Sequence, residues 1–160
     1  MKKLIFVLAC FPFLAFSSMV KFGDWAVDSK VDPITDKKTV MIMAVDTTKK
    51  RNNSAGLIFN CNSTSLTSMS LLDIPNKNQV GNKVKFILRV DKNKPFEMEW
   101  VTTEINYSYS NLDEINKLVE NGNKLIIRAE YPKGTKDFTF SLLGFKKAYS
   151  QLKSHCEAIK

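Results

Sequence analysis

Two cysteines set far apart, Cys61 and Cys156, constrain this chain more than any other feature of its sequence. An even pair of thiols in an oxidising compartment is most simply a disulfide, and a disulfide fixes which elements must meet in the fold. In the chain-entropy view, closing a loop of that length stabilises by roughly 4 to 5 kcal/mol. Whether it forms depends on the compartment, and the N-terminus bears on that. Lys2 and Lys3 precede an apolar run from Leu4 to Phe16, with the small residues Ala15, Ser17 and Ser18 at its end. This is the three-part layout of a secretory leader, with cleavage expected after Ser17 or Ser18. Residues 1–17 are therefore read as a signal peptide and 18–160 as a single exported domain. Pro12 breaks the apolar run, which is shorter than the roughly 20 residues a bilayer span needs, so no transmembrane span is expected after cleavage. Val7-Leu8-Ala9-Cys10 also has the pattern of a bacterial lipobox, in which Cys10 would carry a lipid anchor. The very short apolar stretch before Cys10 and the apolar one after it favour free export into the periplasm over a membrane-anchored lipoprotein.

Removing the leader leaves roughly 143 residues, enough for one domain with a real core and too few for two. The formal charge of the chain is +8, and the leader's own lysines account for only part of it. An exported basic domain meets anionic headgroups, lipopolysaccharide or acidic protein surfaces rather than nucleic acid. The bland reading of the same charge is solubility.

The pattern along the chain is mostly of period two. Asp24 to Val27 opens a strand with Trp25 as a core anchor. Asp32-Pro33-Ile34-Thr35-Asp36 reads as a turn, because Pro33 presets its backbone angle and aspartates bond nearby amides. Thr39 to Val45 suits a central strand covered on both faces, with Met41 and Met43 as core filler. Asp46 to Ser54, with Lys49-Lys50-Arg51, is a loop. In Leu57 to Cys61 the residues Leu57, Phe59 and Cys61 share one face. Leu66 to Ile74 is a further strand, and Pro75-Asn76-Lys77-Asn78 a turn. Val84, Phe86, Leu88 and Val90 alternate with Lys83, Lys85 and Arg89; Phe96, Met98 and Trp100 alternate with Glu97 and Glu99. Joined through Asp91 to Pro95, the two runs form a hairpin that faces lysines to glutamates.

Asn106 to Ser110 is a short strand, after which the period changes. Leu112, Ile115, Leu118 and Val119 fall on one helical face, with Asn111 as N-cap and Asn121-Gly122 as the stop. Leu125 to Ala129 and Phe138 to Leu143 are strands joined through Pro132-Lys133-Gly134. Gly144 opens a last helix whose Phe145, Ala148, Tyr149, Leu152 and Cys156 form one stripe. Cys156 thus points into the core that Cys61 faces from its strand. The fold expected is mainly β: an antiparallel sandwich or open barrel of about eight or nine strands with two late helices, the C-terminal one packed on the sheet.

Residues that could carry chemistry are sparse. His155 is the only histidine, so any histidine-dependent mechanism must use it, and its neighbour Cys156 points away from it on a helix. Glu97, Glu99 and Glu104 could pair as glycosidase carboxylates, but lysines face them. No phosphate loop, dinucleotide glycine signature, metal-ligand spacing or cofactor motif occurs. The reading is a non-enzymatic protein with no catalytic, metal or cofactor site. Its most distinctive string, Asp32, Pro33, Thr35, Asp36, Lys37 and Lys38, is either a plain hairpin turn or a contact loop.

The ordered set of Trp25, D-P-I-T-D-K-K-T-V at 32–40, G-L-I-F-N-C ending at Cys61, and F-T-F-S-L-L-G-F-K-K-A-Y-S-Q-L-K-S-H-C at 138–156 covers nearly all of the exported chain. It resembles the type VI secretion-associated VasI/TagO-like family of small periplasmic proteins. This chain departs from that pattern at Asn60, where the family has arginine, and at Ser141, where it has aspartate. The resemblance implies a periplasmic accessory protein that binds a protein or envelope component, with both cysteines in matching positions. The D-P-x-T-D string is also similar to the invasion-associated locus B family of exported β-domains. Relatives of the VasI kind occur in phages and prophages, which implies an alternative, an exported binder for superinfection exclusion or lysozyme inhibition.

Overall fold

The computed structural model describes residues 18–48, 55–61, 67–72, 80–103, 106–110, 119–131 and 134–158. Ten strands run in sequence: β1 (Ser18–Phe22), β2 (Trp25–Val31), β3 (Lys38–Val45), β4 (Gly56–Cys61), β5 (Thr67–Leu72), β6 (Lys83–Val90), β7 (Phe96–Thr102), β8 (Asn106–Ser110), β9 (Lys124–Tyr131) and β10 (Gly134–Ser141). A helix, α1 (Phe145–Ala158), follows β10. The strands form a single ladder in the order β1-β2-β3-β4-β5-β8-β7-β6-β9-β10, every pair antiparallel. This ladder folds over on itself into a β-sandwich, as the alternation predicted, with one strand more than the eight or nine expected. The extra strand is β1, where the sequence offers only a short lead. It exists because Gly23-Asp24 turns the chain back so that Val20 meets Val27 and Phe22 meets Trp25.

The inward residues of both layers make one core. Trp25, Ile42, Leu57, Phe59, Met69 and Leu71 come from the first five strands, and Phe86, Leu88, Trp100, Leu125, Ile127, Phe138 and Phe140 from the rest, all fully buried. Val84, Phe86, Leu88 and Val90 face inward as their spacing predicts, and Trp100 stacks on Phe86 at 4.6 Å between ring centroids. Met41 and Met43 correct the expectation of core filler. They lie on the outer face of β3 and are half-buried, because Val40, Ile42 and Ala44 already occupy the inner face. The lysine-to-glutamate facing predicted for the 83–100 hairpin is present as Lys83–Glu99 at 3.1 Å and Lys85–Glu97 at 3.0 Å.

The open side of the sandwich is closed by backbone rather than by another ladder. The Thr47 amide and hydroxyl both donate to the Thr139 carbonyl of β10, and the Thr139 amide donates to Oδ1 of buried Asp46. Near the far end of β10 the Trp25 indole donates to the Ser141 carbonyl at 2.9 Å. There the β1–β2 turn and the turn before α1 interlock. Gly23 has φ of +57° and Gly144 of +88°, a region that favours glycine. The Asp24 amide donates to the Leu143 carbonyl, and a Cβ on Gly144 would land on the Phe22 carbonyl. Only two residues without side chains let these backbones approach so closely.

Several expected features lie outside the described residues: the leader with Cys10, Lys49-Lys50-Arg51, Pro75-Asn76-Lys77-Asn78, Glu104, Pro132-Lys133 and most of the first helix. At the end expected for that helix, Val119 and Glu120 are helical, Val119 is buried, and the Gly122 amide donates to the Val119 carbonyl.

Candidate functional site

The helix α1 carries its apolar stripe as the spacing predicts: Phe145, Ala148, Tyr149, Leu152 and Cys156 are its buried residues. It lies along β1 to β4, with Phe145 4.8 Å from the Trp25 ring and 5.2 Å from Phe59, and Tyr149 6.4 Å from Phe59. Tilted and edge-on aromatic pairs of this kind add to the burial of their area. The stripe ends at Cys156, which is joined to Cys61 by a disulfide with Cα atoms 5.6 Å apart. A helix of this length is about 21 Å long, and a seven-residue strand such as β2 spans about 23 Å. α1 therefore runs from the glycine interlock beside the start of β2 to the disulfide, where Cys61 stands level with Ser29 of β2 through Val40.

The β2–β3 connection stands at the disulfide end of that run. Val31 pairs with Lys38, and one step beyond the Met41–Asn60 pair the register brings Cys61 opposite Val40. Within the connection, Oδ1 of Asp32 accepts from the amides of Ile34 at 2.9 Å and Thr35 at 2.8 Å. The Asp36 amide donates back to the Asp32 carbonyl, and the Asp32 amide donates to the Lys37 carbonyl. Asp36 has a positive φ of 55°, which aspartate tolerates better than most residues. The Thr35 amide first, and the Ile34 amide second, hold the Asp32 carboxyl below the usual carboxylate range.

All six residues singled out here from sequence are brought together in this one turn, and all are exposed. The residue that sequence reasoning left out is the most exposed apolar side chain of the tip, Ile34, at 89%. Its signal was available: an isoleucine between a turn proline and a turn threonine has no strand face to occupy. Val31, at the foot of the hairpin, is exposed as well. The tip is thus a stiff loop presenting apolar surface among Lys30, Lys37 and Lys38.

Elsewhere the candidate chemistry is tied into structure. Glu97 and Glu99 each hold a lysine, and Glu130 of β9 adds a second carboxylate to Lys85 at 3.8 Å. His155 is half-exposed next to buried Cys156. No group of three metal-ligating side chains occurs among the described residues.

The fold is similar to that of a solved structure, invasion associated protein b from Bartonella henselae, with a TM-score of 0.64 over 86% of this chain and 97% of that one. The sequences are 16% identical, so the likeness carries the architecture and nothing about activity. No protein-family model matches the chain, and no curated protein does.

Proposed function

We propose that this chain is an exported, non-catalytic binding protein of the periplasm that meets a protein or envelope partner through the β2–β3 tip. The carrying observation is Ile34, an 89% exposed isoleucine on a loop already held in one conformation by Asp32. A preorganised loop loses little further entropy when it docks, so Ile34 can reach a partner at low entropic cost. Export is supported by the leader pattern and by the Cys61–Cys156 disulfide, which persists in oxidising compartments. No helix among the described residues is long and apolar enough to cross a membrane. The resemblance to VasI/TagO-like proteins supports a partner within type VI secretion.

A photo-crosslinking amino acid at Ile34, activated in intact cells and followed by identification of the adduct, tests this reading. Capture of a secretion subunit or an envelope protein is expected, with Ile34→Glu on the unlabelled protein failing to compete for that partner. Capture of a lysozyme or a phage injection component would move the protein to the alternative class. Adducts formed from other surfaces but none from Ile34 would overturn the tip as the contact site.

A further inference from the structure

The opposite end of α1 carries a second surface, assembled from two turns that are remote in sequence. An open groove of about 620 Å³ is lined by Lys21, Phe22 and Gly23 on one side and by Leu142, Leu143, Gly144, Lys146 and Lys147 on the other. Phe22 is half-buried, whereas Leu143 is 68% exposed at the rim. The lining holds three lysines and no acidic side chain. None of the three lysines forms an ion pair among the described residues, although Lys83 and Lys85 of the same protein do.

Two of these lysines sit where helix physics disfavours them. Lys146 and Lys147 occupy the first turn of α1, which contains no acidic residue. The macrodipole places partial positive charge there, so cations in that turn are unfavourable and anions favourable. A chain placing lysines there, without a carboxylate to offset them, concentrates positive potential over an apolar floor. β1, which leads into the groove, adds exposed Met19 and Val20.

We infer that this groove is a docking surface for an anionic lipid bilayer. Lys21, Lys146 and Lys147 would pair with headgroup phosphates, and Leu143 would enter the boundary between headgroups and acyl chains. A basic rim around one protruding leucine is the arrangement of peripheral membrane binding, in which charge supplies attraction and apolar insertion supplies residence. An acidic peptide would match the lysines but would leave Leu143 with nothing apolar to enter. The groove lies about 23 Å from the β2–β3 tip, the length of β2, so one protein could hold a membrane and a partner at once.

Sedimentation with vesicles tests the inference, using protein purified from the exported fraction with its N-terminus fixed by intact mass. Vesicles of phosphatidylglycerol and phosphatidylcholine in equal parts are expected to carry the protein down, and vesicles of phosphatidylcholine alone are not. Each lysine near an anionic surface contributes roughly a fivefold factor. Combining Lys21→Gln, Lys146→Gln and Lys147→Gln should therefore weaken partition about a hundredfold without lowering thermal stability, since two of these lysines oppose the helix dipole. Leu143→Ser should weaken it severalfold, and Ile34→Glu should leave it unchanged, which separates this surface from the partner-binding tip. Equal partition into both vesicle types, or binding that survives the triple substitution, would overturn the inference. So would binding of polyglutamate at the groove without binding of anionic vesicles.

Discussion

At its Cys156 end α1 is joined to β4 by a covalent bond, whereas at its Phe145 end it is held without one, by the packing of Phe145 and by two glycine turns pressed backbone to backbone. The disulfide acts mainly on the unfolded chain, by removing conformations from it, and is indifferent to the chemistry around it so long as it stays oxidised. The glycine interlock acts on the folded chain alone, through the absence of two Cβ atoms, and no oxidant or reductant touches it. One helix is thus secured by a fastening that the compartment controls and by another that only the sequence controls.

The largest effect should come from breaking the covalent end. Cys61→Ser combined with Cys156→Ser should lower the unfolding free energy by roughly 4 kcal/mol in urea titration. The oxidised wild type treated with reductant should approach the same midpoint. The other end is tested by Gly144→Ala against Gly81→Ala. Their φ angles are almost equal, +88° and +87°, but a Cβ on Gly81 meets nothing within 4 Å. Gly81→Ala therefore measures backbone strain, about 1 kcal/mol, and Gly144→Ala adds a clash with the Phe22 carbonyl, for a total of about 3 kcal/mol. Equal losses at the two positions would show that the interlock yields by moving apart.

Smaller effects are expected where neither fastening is involved. The Asp32 carboxyl is held below the usual carboxylate range, so its contribution to the tip is complete above that range and is lost only as pH falls through the lowered value. The Thr35 amide should accordingly stay protected from exchange at mildly acidic pH where ordinary aspartates protonate, and Asp32→Ala should abolish that protection while leaving the helix intact. Least of all should come from Asp137→Asn on β10. Its two carboxylate oxygens accept from Arg128 at 2.7 Å each, but both side chains are about half exposed. Surface pairs contribute little and salt screens them, so the change in midpoint should be the smallest of the set and shrink further at high ionic strength.

What could be read from sequence follows the same division. The stripe on α1, the inward face of β6 and the facing of Cys61 are statements of period, and period survives in a sequence without its partners. The disulfide was legible because both cysteines sit on such faces. The interlock was not, because it depends on Gly23 and Gly144 meeting, and a glycine announces a permissive backbone without naming what approaches it. β1 is harder to read for a related reason: it follows directly on the apolar leader run, and its register is set by β2. Glu130 joins Lys85 only because β9 pairs with β6 across an intervening meander, which no local pattern records. The groove is harder still, since neither of its turns is unusual until the other is placed beside it.

The separation of 95 residues between Cys61 and Cys156 has a consequence for biogenesis. In a polypeptide made N-terminus first, Cys61 emerges long before its partner and waits without it while β5 to β10 follow. α1 follows β10 in the chain, so the bond cannot form before all ten strands have been made. The bond therefore follows the sheet: a product stalled before α1 would carry an unpaired Cys61 thiol, open to capture by quality control or by a second chain.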